Sequence, residues 1–221
     1  MSIEVYFIRH GLSCTNYISA YKGPHLQFER VFYKDPPLIH TGRLHAEMVG
    51  QLWAPDVDVV FSSTLRRAQE TAHALYPRHK VIIAPFLKEK ARGPSNNPCK
   101  HLRCTYCDYS FVRSGRFKKF ANSSNIHKFW TVFLPYFLQG RTKPLKIAVV
   151  THSLLMRRDL GRQGLQQKPH NLAIVSQHYP GPIRRLNSFR EGKRIIFAGI
   201  DRRKLRLADL DATNCQFITA T

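Results

Sequence analysis

Acidic residues are scarce in this chain. Of 221 residues only 14 are Asp or Glu, against 35 Lys or Arg, which leaves a formal net charge of +21. Such an excess decides nothing about fold, but it selects partners. It favours polyanions: phosphorylated small molecules, nucleic acid, acidic lipid head groups or an acidic protein. Long apolar runs are missing too. No stretch approaches the ~18–20 apolar residues of a membrane span, so no membrane segment is expected. The opening MSIEVYFIRH carries Glu4 and no apolar h-region, so no secretory leader is expected either. Cysteine is sparse and odd in number, five in all, with three of them inside residues 99–107. That pattern argues against a disulfide framework and for a reducing, cytoplasmic or nuclear, setting. Internal repeats are absent, and so is any aromatic-interleaved or helix-turn-helix signature of a nucleic-acid binder.

What is present is enough for a core. A hydrophobic fraction of 43% in 221 residues fits one folded domain, 1–221, rather than a disordered chain. Strand-like runs occur at 3–8, 57–61, 80–84, 146–151 and 171–176, with a further one at 194–199. Helix-like stretches lie between them. Residues 41–53 place Leu44, Met48 and Leu52 at helical spacing behind a Thr41 cap, and 63–76 place Leu65, Ala68, Ala72 and Leu75 on one face behind Ser63. A third helix is expected from 123 to the region of Pro135, and a short one at 153–160. Alternation of this kind predicts an α/β sheet with helices on both faces, and ligands in such folds bind outside the C-terminal strand ends.

Two strands end in histidine. The run Ile3–Ile8 stops at Arg9-His10-Gly11, and Ile147–Val150 stops at Thr151-His152-Ser153. If these strands are neighbours, the two imidazoles share one pocket. The strand at 57–61 runs into Ser62-Ser63 and then a helix carrying Arg66 and Arg67. A helix N-terminus favours anions, and an arginine on its first turns can fork two hydrogen bonds onto a phosphate. Histidine adds a nitrogen nucleophile that is largely neutral near pH 7.

These segments resemble the histidine phosphatase superfamily, in its phosphoglycerate-mutase-like branch. The quoted stretches are RHGLSCTN (9–16), DPPLIHTGRLHAE (35–47), SSTLRRAQETA (62–72), LKEKARG (87–93) and VVTHSLLMRR (149–158), in the family's order. The resemblance implies a three-layer α/β/α sandwich with a mostly parallel sheet. It implies that His10 attacks phosphorus and becomes a phosphohistidine. Arg9, Arg67 and His152 would hold the non-bridging oxygens, with Asn16 and Ser153 adding substrate contacts. The alignment selects Arg67 over Arg66. Glu89 takes the acid/base place, although Lys88, Lys90 and Arg92 would lower its pKa unless burial wins, and an acid from elsewhere is the alternative. Neither metal nor organic cofactor is required.

Departures from the family pattern point to a phosphatase rather than a mutase. Residues 14–15 are Cys-Thr where the mutases carry Glu-Trp or similar, and the stretch after Asn16 lacks their Trp-containing segment. His45 stands where a Gln is usual, a change expected to affect packing only. The expected activity is phosphomonoester hydrolysis on a phosphorylated small molecule or a phosphoprotein. A phosphate- or nucleic-acid-recognising binding protein on the same fold, or a phosphotransferase or mutase, are the alternatives.

Two segments stand apart. Residues 94–122 read as a basic, Cys-containing flap, mobile and near the pocket, that brings Lys100, Arg103 or Arg113 to the substrate. Its Cys99, His101, Cys104 and Cys107 are a zinc-compatible inventory. Four ligands in nine residues is tight, however, so free thiols are the expectation. The tail from 183 to 206 holds nine Lys or Arg against Glu191 and Asp201, a charged surface with no motif to name its partner.

Overall fold

The apolar runs pair into one sheet. The computed structural model describes residues 2–21, 34–90, 93–99, 104–160, 168–180, 194–212 and 215. Its strands are β1 (Ser2–Arg9), β2 (Val59–Ser62), β3 (Val81–Ile83), β4 (Cys107–Asp108), β5 (Leu145–Thr151), β6 (Ile174–Pro180) and β7 (Arg194–Phe197). They lie side by side in the order β4-β3-β2-β5-β1-β6-β7. Every pair from β4 to β1 is parallel, while β6 runs antiparallel to both β1 and β7. Near-continuous apolar strands are what a sheet covered on both faces demands.

Side chains alternate across the sheet and fill two cores. Ile3, Val5 and Phe7 of β1 point to an aromatic core with Phe61, Phe129, Trp130 and Phe133, whereas Tyr6 and Ile8 point to a core with Ala46, Val49, Ala68 and Ala72. Helices α2 (His40–Leu52) and α3 (Arg66–Leu75) therefore cover one face. The helical run α4 (Ile126–Lys128, Phe129–Phe133 and Leu134–Phe137) and α5 (Ser153–Leu160) cover the other. Helix α1 (Cys14–Tyr21) follows β1. The result is the expected three-layer α/β/α arrangement with a mostly parallel sheet. No described helix is long and apolar enough to cross a membrane.

Several expectations need correcting. In α2 the apolar series Leu44, Met48 and Leu52 faces outward, each between 45% and 67% exposed. The buried face is Gly42, Ala46 and Val49. Size decides this: a Cβ on Gly42 would lie 2.1 Å from the Leu12 carbonyl oxygen, so the helix packs by its small residues. Thr41 does not cap α2. Ile39 occupies that place, and the Thr41 hydroxyl accepts the Asp211 N–H at 2.7 Å, fastening the tail. In α3, the N–H of Arg66 is satisfied from afar by Asp35 Oδ1 at 2.8 Å. The third helix does not stop at Pro135 but passes through it. The wider turns of Phe129–Phe133 shift the bonding just ahead of the proline, whose missing N–H is then tolerated at the start of Leu134–Phe137.

Strand β6 begins at Ile174 rather than 171. Leu172, at φ 63°, turns the preceding residues into a clamp on the end of β1, with Leu172 N–H donating to Arg9 O and Arg9 N–H to Ala173 O.

The flap expectation also changes. Cys107–Asp108 pairs with Val81 and Ile82 as the sheet's edge strand, and Val112 and Phe117 are buried in the two cores. The segment from 104 to 122 is thus built into the domain, anchored by apolar side chains that its basic composition obscured. Nor are the thiols free. Cys14 is joined to Cys215 and Cys104 to Cys107, leaving Cys99 unpaired among the described residues. With two of its four candidates linked to each other, the zinc inventory is broken, and His101 lies outside the described residues. The reducing-compartment expectation loses the free thiols that supported it.

Candidate active site

Sheet order assembles the site. Because β5 lies between β1 and β2, three parallel strand ends meet: Arg9 is in register with Thr151, and Ser62 with Val150. The next residues are therefore His10, His152 and Ser63 side by side. The N–H of His10 donates to Thr151 O and that of Ser63 to Val150 O. The two imidazoles lie with ring centroids 5.1 Å apart.

His10 is held in a defined proton state. Its Nδ1 is 2.7 Å from the carbonyl oxygen of Gly11. A carbonyl can only accept, so Nδ1 carries the hydrogen and Nε2 bears the lone pair. The ring is buried between Arg67 and Arg9, and burial first, then these two charges, hold its pKa well below the ordinary value. It is neutral at neutral pH. The backbone around it is tied on both sides. Gly11 N–H donates to Thr71 Oγ1 at 2.9 Å, and Asn171 Nδ2 donates to the carbonyls of His10 and Gly11 at 3.0 and 2.9 Å.

His152 is buried and tied through Nε2 to the Ser63 hydroxyl at 2.8 Å. Ser63 Oγ also accepts the Leu65 N–H at 3.1 Å. Burial, Arg67 and His10 hold the His152 pKa well below the ordinary value. Its Nδ1 and the Nε of Arg9 are buried without a partner among the described residues. Buried polar atoms are seldom left so, and both nitrogens keep the capacity to hydrogen-bond a ligand.

The arginines are anchored but not used up. Arg9 donates from Nη1 to Pro169 O. Arg67 donates from Nη1 to Ser95 O and from Nη2 to Asn96 Oδ1, both at 2.8 Å, so each terminal nitrogen keeps a second N–H. Burial lowers both guanidinium pKa values to about 10, which leaves them charged. Arg66 points elsewhere: its Nε binds Glu70 at 2.6 Å. Glu89 is 7% exposed and accepts the N–H of Lys90 at 3.0 Å and that of Leu154, in the first turn of α5. Burial raises its pKa, outweighing these bonds and the charges of Arg67 and Arg9. That is the balance a proton donor needs.

Arg9, His10, Arg67, Glu89 and His152 thus come together. Ser153 opens α5 next to His152 and is buried. Asn16 is half-buried, its Oδ1 accepting from Ser13 and Asn171. Arg113 is not part of this group: it is exposed and stacks over the Tyr109 ring at 4.2 Å. Lys100 and Arg103 lie outside the described residues. Sequence reasoning missed Ser63 as a partner of His152, Asn96 as the anchor of Arg67, and Asn171. The last sits in a stretch that looks like plain strand, and only the φ of Leu172 reveals it as a clamp. Among the described residues no His, Cys, Asp or Glu cluster could hold a metal ion.

Fold and site together define a three-layer α/β protein with a histidine pair at adjacent strand ends. Residues 5–98, less than half of the chain, match the histidine phosphatase superfamily (branch 1), the family that the sequence motifs resemble; the match covers His10, Arg67 and Glu89 but ends before His152. Among solved structures the chain is similar to a phosphoglycerate mutase from Bacillus anthracis, at 15% identity over 80% of this chain and 88% of that one, with a TM-score of 0.50. A phosphoserine phosphatase from Entamoeba histolytica, solved with 3-phosphoglyceric acid, is similar at 18% identity over 79% and 89%, with a TM-score of 0.49. No curated protein gives a significant sequence match.

Proposed function

We propose that the chain is a phosphomonoester hydrolase that works through a phosphohistidine at His10, and that residues 1–221 form one such domain. The observation that carries this reading is the His10 ring itself. It is neutral, with its Nδ1 hydrogen committed to Gly11, and it sits among Arg9, Arg67 and His152. Its Nε2 lone pair is therefore available in a pocket built for negative charge. Attack of Nε2 on phosphorus forms the N–P bond as the P–O bond to the leaving group breaks. The developing charge is met by the remaining N–H groups of Arg9 and Arg67 and by His152. His152 donates from Nδ1 when its Nε2 accepts the Ser63 hydroxyl hydrogen. Glu89, whose pKa is raised by burial, gives a proton to the leaving oxygen. Water then attacks the same phosphorus, Glu89 takes a proton from it, the N–P bond breaks, and phosphate leaves with His10 neutral again.

Hydrolysis is favoured over mutation of phosphate position because Cys14 and Thr15 stand where the mutases that the sequence resembles carry Glu-Trp or similar. Cys14 is moreover joined to the tail by its disulfide. The substrate is a phosphorylated small molecule or a phosphoprotein. A panel spanning sugar phosphates, nucleotides, inositol phosphates and phosphopeptides, run beside p-nitrophenyl phosphate, tests the activity. Release of phosphate by the wild type and its loss by roughly 10³-fold or more in His10→Ala is the expected result. No release from any ester, or release that survives His10→Ala, would overturn it.

A further inference from the structure

Between Asp108 and Asp159 the chain has ten Lys or Arg and no Asp or Glu. Part of that stretch packs on the sheet face that α4 covers, with Phe117 of the short helix Gly115–Phe120 in the same aromatic core as Phe129 and Phe133. Arg116, Lys119, Lys128 and Arg141 are exposed there, and Lys118 is exposed between the first two. Among the described residues none of these five is in an ion pair.

Aromatic rings hold four of these cations in place. The Arg116 guanidinium lies 5.5 Å from the ring centroids of both Phe117 and Tyr136. The Lys119 and Lys128 ammonium groups lie 5.2 and 5.6 Å from that of Phe120, and Arg141 lies 4.7 Å from that of Phe137. The rings are in contact with one another. Phe117 meets Tyr136 at 5.2 Å, Phe111 meets Tyr136 and Phe137 at 6.4 and 6.1 Å, and Phe86 meets Phe117 and Phe120 at 6.5 and 5.0 Å. One ring cluster therefore carries four cations from three separate segments. A ring quadrupole attracts a cation without cancelling its charge. Only Arg116-Phe117-Lys118-Lys119-Phe120 is contiguous in sequence; Lys128, Tyr136 and Arg141 join it through the fold, so no longer motif announces the array.

Like charges gathered without carboxylates favour a polyanion, and the surroundings select its kind. A membrane surface needs large apolar anchors beside the charge. The exposed apolar series Leu44, Met48, Leu52 and Trp53 belongs to α2 and the residue after it, across the sheet from α4. On the cationic face, α4 exposes Val132 and Tyr136, and the Tyr136 ring, 42% exposed, stands next to Arg116. A cation beside an open aromatic ring matches a nucleotide, which offers a phosphate and a base face together. Such pairs of groups bind single strands with little regard to sequence. We propose that this face binds single-stranded nucleic acid, with backbone phosphates on Arg116, Lys119, Lys128 and Arg141 and a base stacked at Tyr136. The proposal does not depend on the hydrolase reading.

Fluorescence anisotropy of the full chain with a labelled oligouridylate of about twelve nucleotides, titrated at several salt concentrations, tests it. The wild type is expected to bind, with log affinity falling linearly against log salt. Arg116→Gln, Lys119→Gln, Lys128→Gln and Arg141→Gln together should reduce that slope by about 3, at ~0.7 per phosphate contact. Arg78→Gln, Lys80→Gln, Arg194→Gln and Lys204→Gln together remove the same charge from exposed positions elsewhere and should change the slope by less than about 1. Exchanging the four face cations in kind (Arg116→Lys, Lys119→Arg, Lys128→Arg and Arg141→Lys) should keep binding, which separates loss of charge from loss of fold. Tyr136→Ala should weaken binding by about five- to 150-fold and Tyr136→Phe should not. No binding by the wild type, or equal losses in the two glutamine variants, would overturn the proposal. So would a loss in the charge-exchanged variant equal to that in the face glutamine variant, or a Tyr136→Ala variant that binds as the wild type does. Phosphatidylserine-containing vesicles and polyglutamate are titrated in parallel. Binding of either one more tightly than the oligonucleotide, through the same four cations, would assign the face to a membrane or to an acidic protein and overturn it too.

Discussion

His10 and His152 meet with ring centroids 5.1 Å apart because β1 and β5 are parallel neighbours, in register at Arg9 and Thr151. Two strand ends distant in sequence are brought side by side through sheet order alone. Each ring is fixed by a different device, His10 by the carbonyl of Gly11 and His152 by the hydroxyl of Ser63.

Glu89 is expected to act as the proton donor. Glu89→Gln should lower kcat/KM by ~10²–10⁴ for alkyl phosphates, whose leaving groups need a proton, and by less than about tenfold for p-nitrophenyl phosphate. Equal losses on the two esters would assign Glu89 another role.

The pH profile follows from the same groups. His10 is depressed, so it stays unprotonated as the pH falls below the ordinary histidine range. Glu89 is raised, so it keeps its proton above the ordinary carboxylate range. Hence kcat/KM should rise with pH through the depressed His10 value and fall above the raised Glu89 value, giving an acidic optimum. In Glu89→Gln the alkaline fall should disappear. A wild-type profile still rising above neutral pH would contradict this assignment.

Asn171 is a positioning residue. Asn171→Ala removes its bonds to the His10 and Gly11 carbonyls and leaves two buried acceptors without that donor. A loss of about 1–3 kcal/mol in unfolding free energy is expected, together with a fall in kcat larger than any change in KM. Denaturant titration and steady-state kinetics check both. An unchanged kcat would mean that the clamp is purely structural.

The Cys14–Cys215 bridge closes almost the whole chain, with a sequence separation of 201. Its reduction should cost about 2–4 kcal/mol of stability. Thermal melts with and without dithiothreitol, repeated on Cys14→Ser and on Cys104→Ser, separate this bridge from Cys104–Cys107. A melt of Cys14→Ser that responds to reductant as strongly as the wild type would show that the bridge carries no stability.

Most of the sheet, and the five residues Arg9, His10, Arg67, Glu89 and His152 that the fold brings together, could be picked out in the sequence. Apolar runs and strand-end motifs are local signals, and Arg9-His10-Gly11 and Thr151-His152 sit where the strands stop. What was not legible depended on size or on distant contacts. Leu44, Met48 and Leu52 form an apolar helical series, yet the helix buries Gly42 instead because it lies against the Leu12 carbonyl. Asp35 satisfies the start of α3 from another loop, and Asn96 anchors Arg67 from a third. Cys14 and Cys215 looked like isolated thiols because nothing local announces that the tail returns to the helix after His10. Basic composition made residues 104–122 look like a flap, while Val112 and Phe117 were enough to bury it.

The most direct test is of the nitrogen itself. Wild-type protein is mixed with a ³²P-labelled ester from the panel, quenched in base within one turnover, and digested. The account predicts label that is stable in base and labile in acid, carried by the peptide containing His10 and absent from His10→Ala. Label on an acid-stable serine or threonine, or a labelled histidine at any other position, would contradict it.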